Sequence, residues 1–148
     1  MKILVPVDGS VYSLEAVKVA LDFVQMKGAE VHVISVIPFI GGMEEHEISP
    51  ARRDRHVEAF GKVADDAVKK ACEVLSGAGV TCAASQSLLA PSSVPDAIID
   101  FAEKEGMDLI VMGSRGMSPS ARFKLGSVAS QVAKYSPCSV HLVKMKDA

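Results

Sequence analysis

Three glycines and a serine near the carboxyl end of the chain have a spacing that suits phosphate binding. Gly113 and Gly116 are followed, after nine intervening residues, by Gly126 and Ser127. Glycine has no Cβ and lets the backbone approach a phosphate closely, and the free N–H groups at a helix start attract an anion. The charged residues between Gly113 and Gly126 are all basic: Arg115, Arg122 and Lys124. This segment therefore predicts a binding loop for an anion.

The segments on either side of this loop predict its place in a fold. Residues 108–112 are a short apolar run typical of a buried strand, and residues 128–135 have helical spacing. Near the start of the chain, a second apolar run at 2–7 leads into Asp8. Pro6 has no N–H for a sheet, so it should stand where strand pairing stops. The pattern predicts that Asp8 and Gly113 lie at the ends of two neighbouring strands.

Composition limits the classes of function. The 148 residues, of which 49% are hydrophobic, fit one domain at 1–148 with a sizeable core. A net charge of −2, with five Phe, two Tyr and no Trp, leaves neither a basic surface for nucleic acid nor many rings for base stacking. No apolar run is long enough to cross a membrane or has the pattern of a signal peptide, so we expect a cytoplasmic protein.

The cysteines and histidines predict neither a metal centre nor a catalytic set. Cys72, Cys82 and Cys138 are an odd number without a CxxC pair, which favours a reducing compartment and small core residues. His46 stands among glutamates in an irregular stretch at 38–48, where consecutive side chains do not converge on a metal ion. We expect no Ser/His/Asp or Cys/His arrangement near the anion loop.

The alternation of strand-length and helix-length patterns predicts an α/β fold, a parallel sheet with helices on both faces. Strands are expected at 2–7, 30–37, 80–88, 108–112 and 139–143, and helices at 10–27, 50–77, 93–106 and 128–135. The third strand is the most polar and fits a sheet edge. The predicted core face of the second helix comprises Val57, Phe60, Ala64, Ala67, Ala71 and Val74. Such sheets bind ligands at the carboxyl ends of the strands where the winding reverses, which requires strands 1 and 4 to be neighbours.

Four segments resemble the universal stress protein family: Val5-Pro-Val-Asp-Gly-Ser10, Asp108-Leu-Ile-Val-Met-Gly-Ser-Arg-Gly116, Gly126-Ser127 and Ser136-Pro-Cys-Ser-Val140. The similarity spans nearly the whole chain. Its Gly-x2-Gly-x9-Gly-Ser/Thr spacing is that of the members of the family that bind ATP. The resemblance implies a single-domain, Rossmann-like open parallel sheet of five strands in the order 3-2-1-4-5.

The resemblance also implies a nucleotide site. Pro6 would line the base pocket, Asp8 would lie near the adenosine, and the backbone of Val36 would face the adenine. Met112 and Gly113 would lie near the ribose. The residues expected around the phosphates are Arg115, Gly116, Gly126, Ser127 and Val128. The expected ligand is ATP, ADP or AMP, and Mg²⁺ is expected with ATP.

A regulatory homodimer is a better prediction than an enzyme. The terminal strand Ser139–Val143 should be an exposed sheet edge, with Val140 and Leu142 alternating along it, and such an edge pairs with its copy. Any ATP hydrolysis should be slow, because the chain offers cations for the phosphates and no evident residue to orient water. The predicted role is a stress-response sensor or switch.

Alternatives remain open for both the residues and the function. Asp8 can be a turn former, and Ser127 can be the N-cap of its helix. The chain can be an ATP-using enzyme of a related α/β fold, although the Ser-Gly-Gly-x-Asp-Ser loop of those enzymes is missing after strand 1. A nucleotide-free dimeric scaffold is the third alternative. Residues 90–95 and Ser118-Pro119 depart from the family pattern, which predicts a narrower pocket.

Overall fold

The computed structural model describes residues 1–38, 50–90, 92–115 and 125–145. Strands and helices alternate along the chain: β1 (Lys2–Pro6), α1 (Val11–Lys27), β2 (Glu30–Ile37), α2 (Pro50–Gly77), β3 (Ala84–Leu89), α3 (Val94–Lys104), β4 (Leu109–Gly113), α4 (Ser127–Tyr135) and β5 (Ser139–Val143). All strand pairs are parallel, and the sheet order is β3-β2-β1-β4-β5. The predicted fold class and strand order are confirmed, with β3 at one edge and β5 at the other.

The central strands β1, β2 and β4 are buried on both faces because they are apolar at successive positions. Ile3 and Val5 face one layer, together with small residues of α1 and α2 such as Ala16 and Ala71. Leu4 and its neighbours face the other layer, which α3 and α4 cover. Side chains alternate between the faces of a strand, so an uninterrupted apolar strand needs helices on both sides.

The ends of α1 follow the capping chemistry of its sequence. The Ser10 Oγ accepts a hydrogen bond from the Ser13 N–H at 3.2 Å, which satisfies one free donor of the first turn. Gly28 ends the helix in the left-handed conformation, with φ of 65°, and its N–H donates to the Val24 carbonyl oxygen at 2.8 Å. These two caps confirm the predicted bounds of the first helix.

The third strand begins later than its apolar pattern indicates. We expected a strand from residue 80, but β3 begins at Ala84. The N–H of Val80 donates to the Leu75 carbonyl oxygen at 2.9 Å, and that of Gly79 donates to Ser76 at 3.0 Å. This pair of bonds is a Schellman motif. Val80 therefore belongs to the turn that ends α2, and its apolar side chain packs against the core from there.

The predicted core face of the second helix is wrong at Phe60, whose side chain is 43% exposed. The cause is a difference in length between neighbouring elements. With 28 residues, α2 is about 42 Å long, whereas β2, with 8 residues, spans about 26 Å. Ala64, Ala67 and Ala71 lie over the sheet and are buried, while the helix start extends beyond the carboxyl ends of the strands.

Replacement of Gly113 by alanine tests the contact between α1 and β4. A Cβ at Gly113 would lie 2.8 Å from the Tyr12 Cβ and 2.9 Å from its backbone carbon. We expect Gly113→Ala to lower the free energy of unfolding by about 1–3 kcal/mol, because the helix must move away from the strand. Urea denaturation measures the loss. Gly77→Ala is the control, since a Cβ there meets nothing within 4 Å; equal stability of the two variants would contradict the contact.

Candidate functional site

A cavity of about 590 Å³ opens at the carboxyl ends of β1, β2 and β4. Its volume lies in the range of small-molecule sites. The structure brings nine of the ten predicted site residues to its wall: Pro6, Asp8, Val36, Met112, Gly113, Arg115, Gly126, Ser127 and Val128. The tenth, Gly116, lies outside the described residues, as do Arg122, Lys124, Ser118 and Pro119. Two segments separated by about a hundred residues in sequence therefore share one cavity.

Asp8 shapes the turn between β1 and α1. Its Oδ1 accepts a hydrogen bond from the Ser10 N–H at 2.9 Å, and its own N–H donates to the Ser13 Oγ at 3.4 Å. Gly9, with φ of 86°, takes the left-handed conformation that this turn requires. The expected turn-forming role of Asp8 is present. Among the described residues, the second carboxylate oxygen has no hydrogen-bond partner, so one oxygen of a half-buried acid stays available at the cavity.

The start of α4 differs from the sequence prediction in its cap. Gly126, not Ser127, is the N-cap, and no side chain caps the helix. The Gly126 N–H is already used, because it donates to the Ser114 carbonyl oxygen at 2.6 Å. The N–H groups of Ser127 and Val128 have no acceptor in the described part of the chain. These two groups, with the positive end of the helix dipole, can bind an anion at the cavity wall.

Arg115 is the only cation among the described residues that line the cavity, and Asp8 is the only acid. The Arg115 guanidinium lies 6.0 Å from the centre of the Tyr12 ring, within the range of a cation–π contact. The backbone of the same tyrosine is packed against Gly113. Tyr12 thus joins two of the predicted site residues, and the sequence analysis did not single it out.

Further wall residues were missed because they come from α2 and from the start of α3. Phe60 and Val63 line the cavity from the part of α2 that extends beyond the sheet. The buried Ala64 also lines it from α2, and Val94 lines it from α3. Helical spacing alone marks these residues as core. Only the length of α2 relative to the strands reveals that part of its apolar face covers a cavity instead of the sheet.

His56 holds the start of α2 against the end of β2. Its Nε2 lies 2.9 Å from the Pro38 carbonyl oxygen and donates to it in the Nε2-protonated tautomer. Its ring also lies 4.4 Å from that of Phe60, centre to centre. Both contacts fix the helical wall of the cavity relative to the sheet. The imidazole is used in packing and is not one of the lining residues.

Within the described ranges, no three His, Cys, Asp or Glu side chains are grouped as metal ligands. His46 lies outside those ranges. None of the helices in the described part of the chain is long and apolar enough to span a membrane.

Comparisons with known proteins agree on one family. The model of the Universal stress protein family matches residues 1–144. A universal stress protein of Methanocaldococcus jannaschii is 38% identical over 154 aligned residues, which cover 97% of this chain and 81% of the relative. One from Bacillus subtilis is 30% identical and covers 97% and 98%. The crystal structure of a universal stress protein in complex with cAMP is 25% identical, with a TM-score of 0.72 and coverage of 99% and 98%.

Two substitutions of Asp8 separate its turn role from its charge. Asp8→Ala removes the acceptor for the Ser10 N–H, so we expect the free energy of unfolding to fall by about 1 kcal/mol. Asp8→Asn keeps an oxygen acceptor and should lose less than half of that amount. Thermal denaturation at neutral pH measures both variants. If the asparagine variant is as unstable as the alanine variant, the carboxylate charge and not the turn hydrogen bond stabilises the fold.

Proposed function

The chain belongs to the universal stress protein family, and we propose that it binds an adenine nucleotide in the cavity at the carboxyl ends of its strands. The observation that carries the proposal is the meeting of an apolar wall and an anion-binding helix start in one cavity. A relative solved in complex with cAMP supports the same ligand class. ATP is the form that the glycine spacing favours, and ADP or AMP would fill part of the same site.

Each part of the proposed ligand has a counterpart in the wall. Pro6, Val36 and Met112 offer an apolar surface for the adenine ring, which Phe60 and Val63 extend on the side of α2. The available oxygen of Asp8 suits a ribose hydroxyl. The groups of positive charge on the wall are the Arg115 guanidinium and the N–H groups of Ser127 and Val128 at the start of α4. The phosphates would bind there.

A Mg²⁺ ion accompanying ATP would depend mainly on the nucleotide. Asp8 is the only carboxylate among the described wall residues, and Mg²⁺ prefers several waters and substrate phosphate oxygens in addition to one or two carboxylates. The cavity fits such an ion as a companion of the phosphates. One acid does not make a separate magnesium site.

We propose that any hydrolysis is slow and that binding itself is the function. Phosphoryl transfer to water needs a group that orients the attacking water and cations that neutralise the developing charge. The described wall offers Arg115 for charge, and its single acid also forms the turn with Ser10. A bound nucleotide would instead stabilise one arrangement of the helices around the cavity and so act as a regulatory signal in a cytoplasmic dimer.

Gly126→Val tests the proposed phosphate site. Gly126 has φ of −69° and ψ of 159°, a conformation open to valine, so the fold should survive. The branched side chain would stand against the phosphates, and we expect the affinity for ATP to fall at least tenfold, which is about 1.4 kcal/mol. Calorimetric titration measures it. Gly77→Val is the control, because Gly77 lies at the end of α2 that is remote from the cavity. We expect this variant to bind ATP with the affinity of the wild type.

The outcomes of that titration separate the proposal from its alternatives. Unchanged affinity in a folded Gly126→Val variant would place the phosphates elsewhere. A wild-type protein that binds no ATP, ADP or AMP would favour the nucleotide-free scaffold, in which Gly113 and Gly126 serve only the contact with Tyr12 and the bond to Ser114.

We also propose a homodimer formed through β5. The register of β5 against β4 identifies the residue whose substitution tests this interface. The Ser114 N–H donates to the Val143 carbonyl oxygen, so Val143 directs its backbone groups towards β4. Backbone groups alternate between the two sides of a strand, and those of Val140 therefore face the open edge. We expect Val140→Pro to give monomers in light scattering at micromolar concentration, because it removes an edge N–H. Val140→Ala keeps that N–H and should stay dimeric; a monomeric wild type or a dimeric, folded proline variant would refute this interface.

A further inference from the structure

Two cysteine thiols that the nucleotide site does not use meet at the far end of α2. Cys72 lies in α2 and Cys82 lies two residues before β3, and their Sγ atoms are 2.7 Å apart. Both are free thiols that pack against the core cluster beneath α1 and α2. A disulfide bond is about 2.05 Å long, so the two sulfurs need to approach by less than about 1 Å to bond.

The two thiols differ in their access to the surface groove beside them. Cys72 lines a surface groove between α2 and β3, together with Lys69, Ser76 and Ser87. Burial, a hydrogen bond with Cys72 and the charge of Cys72 raise the pKa of Cys82 to about 12. Cys82 therefore stays protonated at neutral pH, and Cys72 is the sulfur that a reagent entering the groove meets first.

We propose that Cys72 and Cys82 form a reversible redox site that peroxide oxidises to a disulfide. In the first step the Cys72 sulfur attacks one peroxide oxygen, the O–O bond breaks, and the products are a sulfenic acid on Cys72 and one water. In the second step the Cys82 sulfur attacks the Cys72 sulfur, its proton leaves with the hydroxyl group, and a second water is released. Two thiols lose two electrons in total, and hydrogen peroxide is reduced to two molecules of water.

The positions of Cys72 and Cys82 allow a disulfide bond to form without unfolding of the chain. The chain between the two cysteines is the end of α2 and the Schellman turn, where Val80 is already bonded to Leu75. The pair also lies away from the nucleotide cavity, since Cys72 is about 18 Å further along the axis of α2 than Phe60. Disulfides in a reducing compartment are usually transient and redox-sensing, and exchange with a dithiol would return this one to the reduced state.

Cys138 is the internal control. It belongs to the cluster on the opposite face of the sheet, and its sulfur lies 3.6 Å from the Ser136 Oγ and not beside another thiol. A general sensitivity of cysteines to oxidation would include Cys138. A site built from the Cys72 and Cys82 contact would leave it reduced.

The experiment treats the reduced 148-residue chain with hydrogen peroxide and follows its mass and its free thiols. We expect a loss of about 2 Da and a fall from three free thiols to one. Peptide mapping should find a Cys72–Cys82 cross-link within one chain, and a dithiol reductant should restore the original mass. Three thiols remaining free, a link through Cys138, a link between two chains, or irreversible oxygen addition to Cys72 would each overturn the proposal.

Three alanine variants assign the steps. Cys138→Ala should still lose about 2 Da, whereas Cys72→Ala and Cys82→Ala should not form the bond. Cys82→Ala should stop at the first step, with a gain of about 16 Da that a sulfenic-acid reagent traps on Cys72. Cross-link formation in either of those two variants would refute the assignment. The peptide map of the wild type decides the question even if a variant fails to fold.

Discussion

The pairing of β1 with β4 is the constraint on which the rest of the molecule depends. Ile3 pairs with Leu109 in the middle of the sheet, although the two are far apart in the chain. At the start of the pair, the Lys2 N–H donates to the Asp108 carboxylate at 2.7 Å and the Asp108 N–H donates to the Lys2 carbonyl oxygen at 2.9 Å. Because parallel strands run in the same direction, the chain leaves both strands at the same edge of the sheet. The helices that follow go to opposite faces, and the space between them is the cavity.

Glycine at position 113 lets α1 pack closely against β4. Tyr12, in the first turn of α1, lies so near β4 that a side chain at Gly113 has no room. The same tyrosine carries the Arg115 guanidinium over its ring. Gly113, which we expected to face a ligand, is thus also a packing residue. Tyr12 both packs α1 against the sheet and positions the Arg115 guanidinium at the cavity.

The length of α2 gives one helix three different tasks. Its middle turns carry small, buried residues, since Ala67 and Ala71 must fit against the sheet. Its start extends past the strands, where Phe60 covers the cavity and His56 bonds to the end of β2. Its end returns through a Schellman turn that brings Cys82 to Cys72. Part of the cavity wall and one thiol of the pair, Cys72, therefore belong to the same helix, on opposite sides of its buried centre.

The sequence by itself determined the class of fold and the limits of most elements, and its motifs pointed to nine of the residues that line the cavity. Those features depend on local chemistry: the Ser10 and Gly28 caps, the proline that ends β1, and glycines that recur at a fixed spacing. The tertiary structure alone decided two kinds of feature. One depends on the length of a helix relative to the strands beneath it, and the other depends on which neighbouring group accepts a backbone hydrogen bond. Phe60 is exposed because α2 is longer than the strands beneath it, and the Gly126 N–H is used because Ser114 lies opposite. Periodicity along one element contains no information on where the next element stops covering it, and for that reason the wall from α2, the cap of α4 and the meeting of the two thiols became visible only in the folded chain.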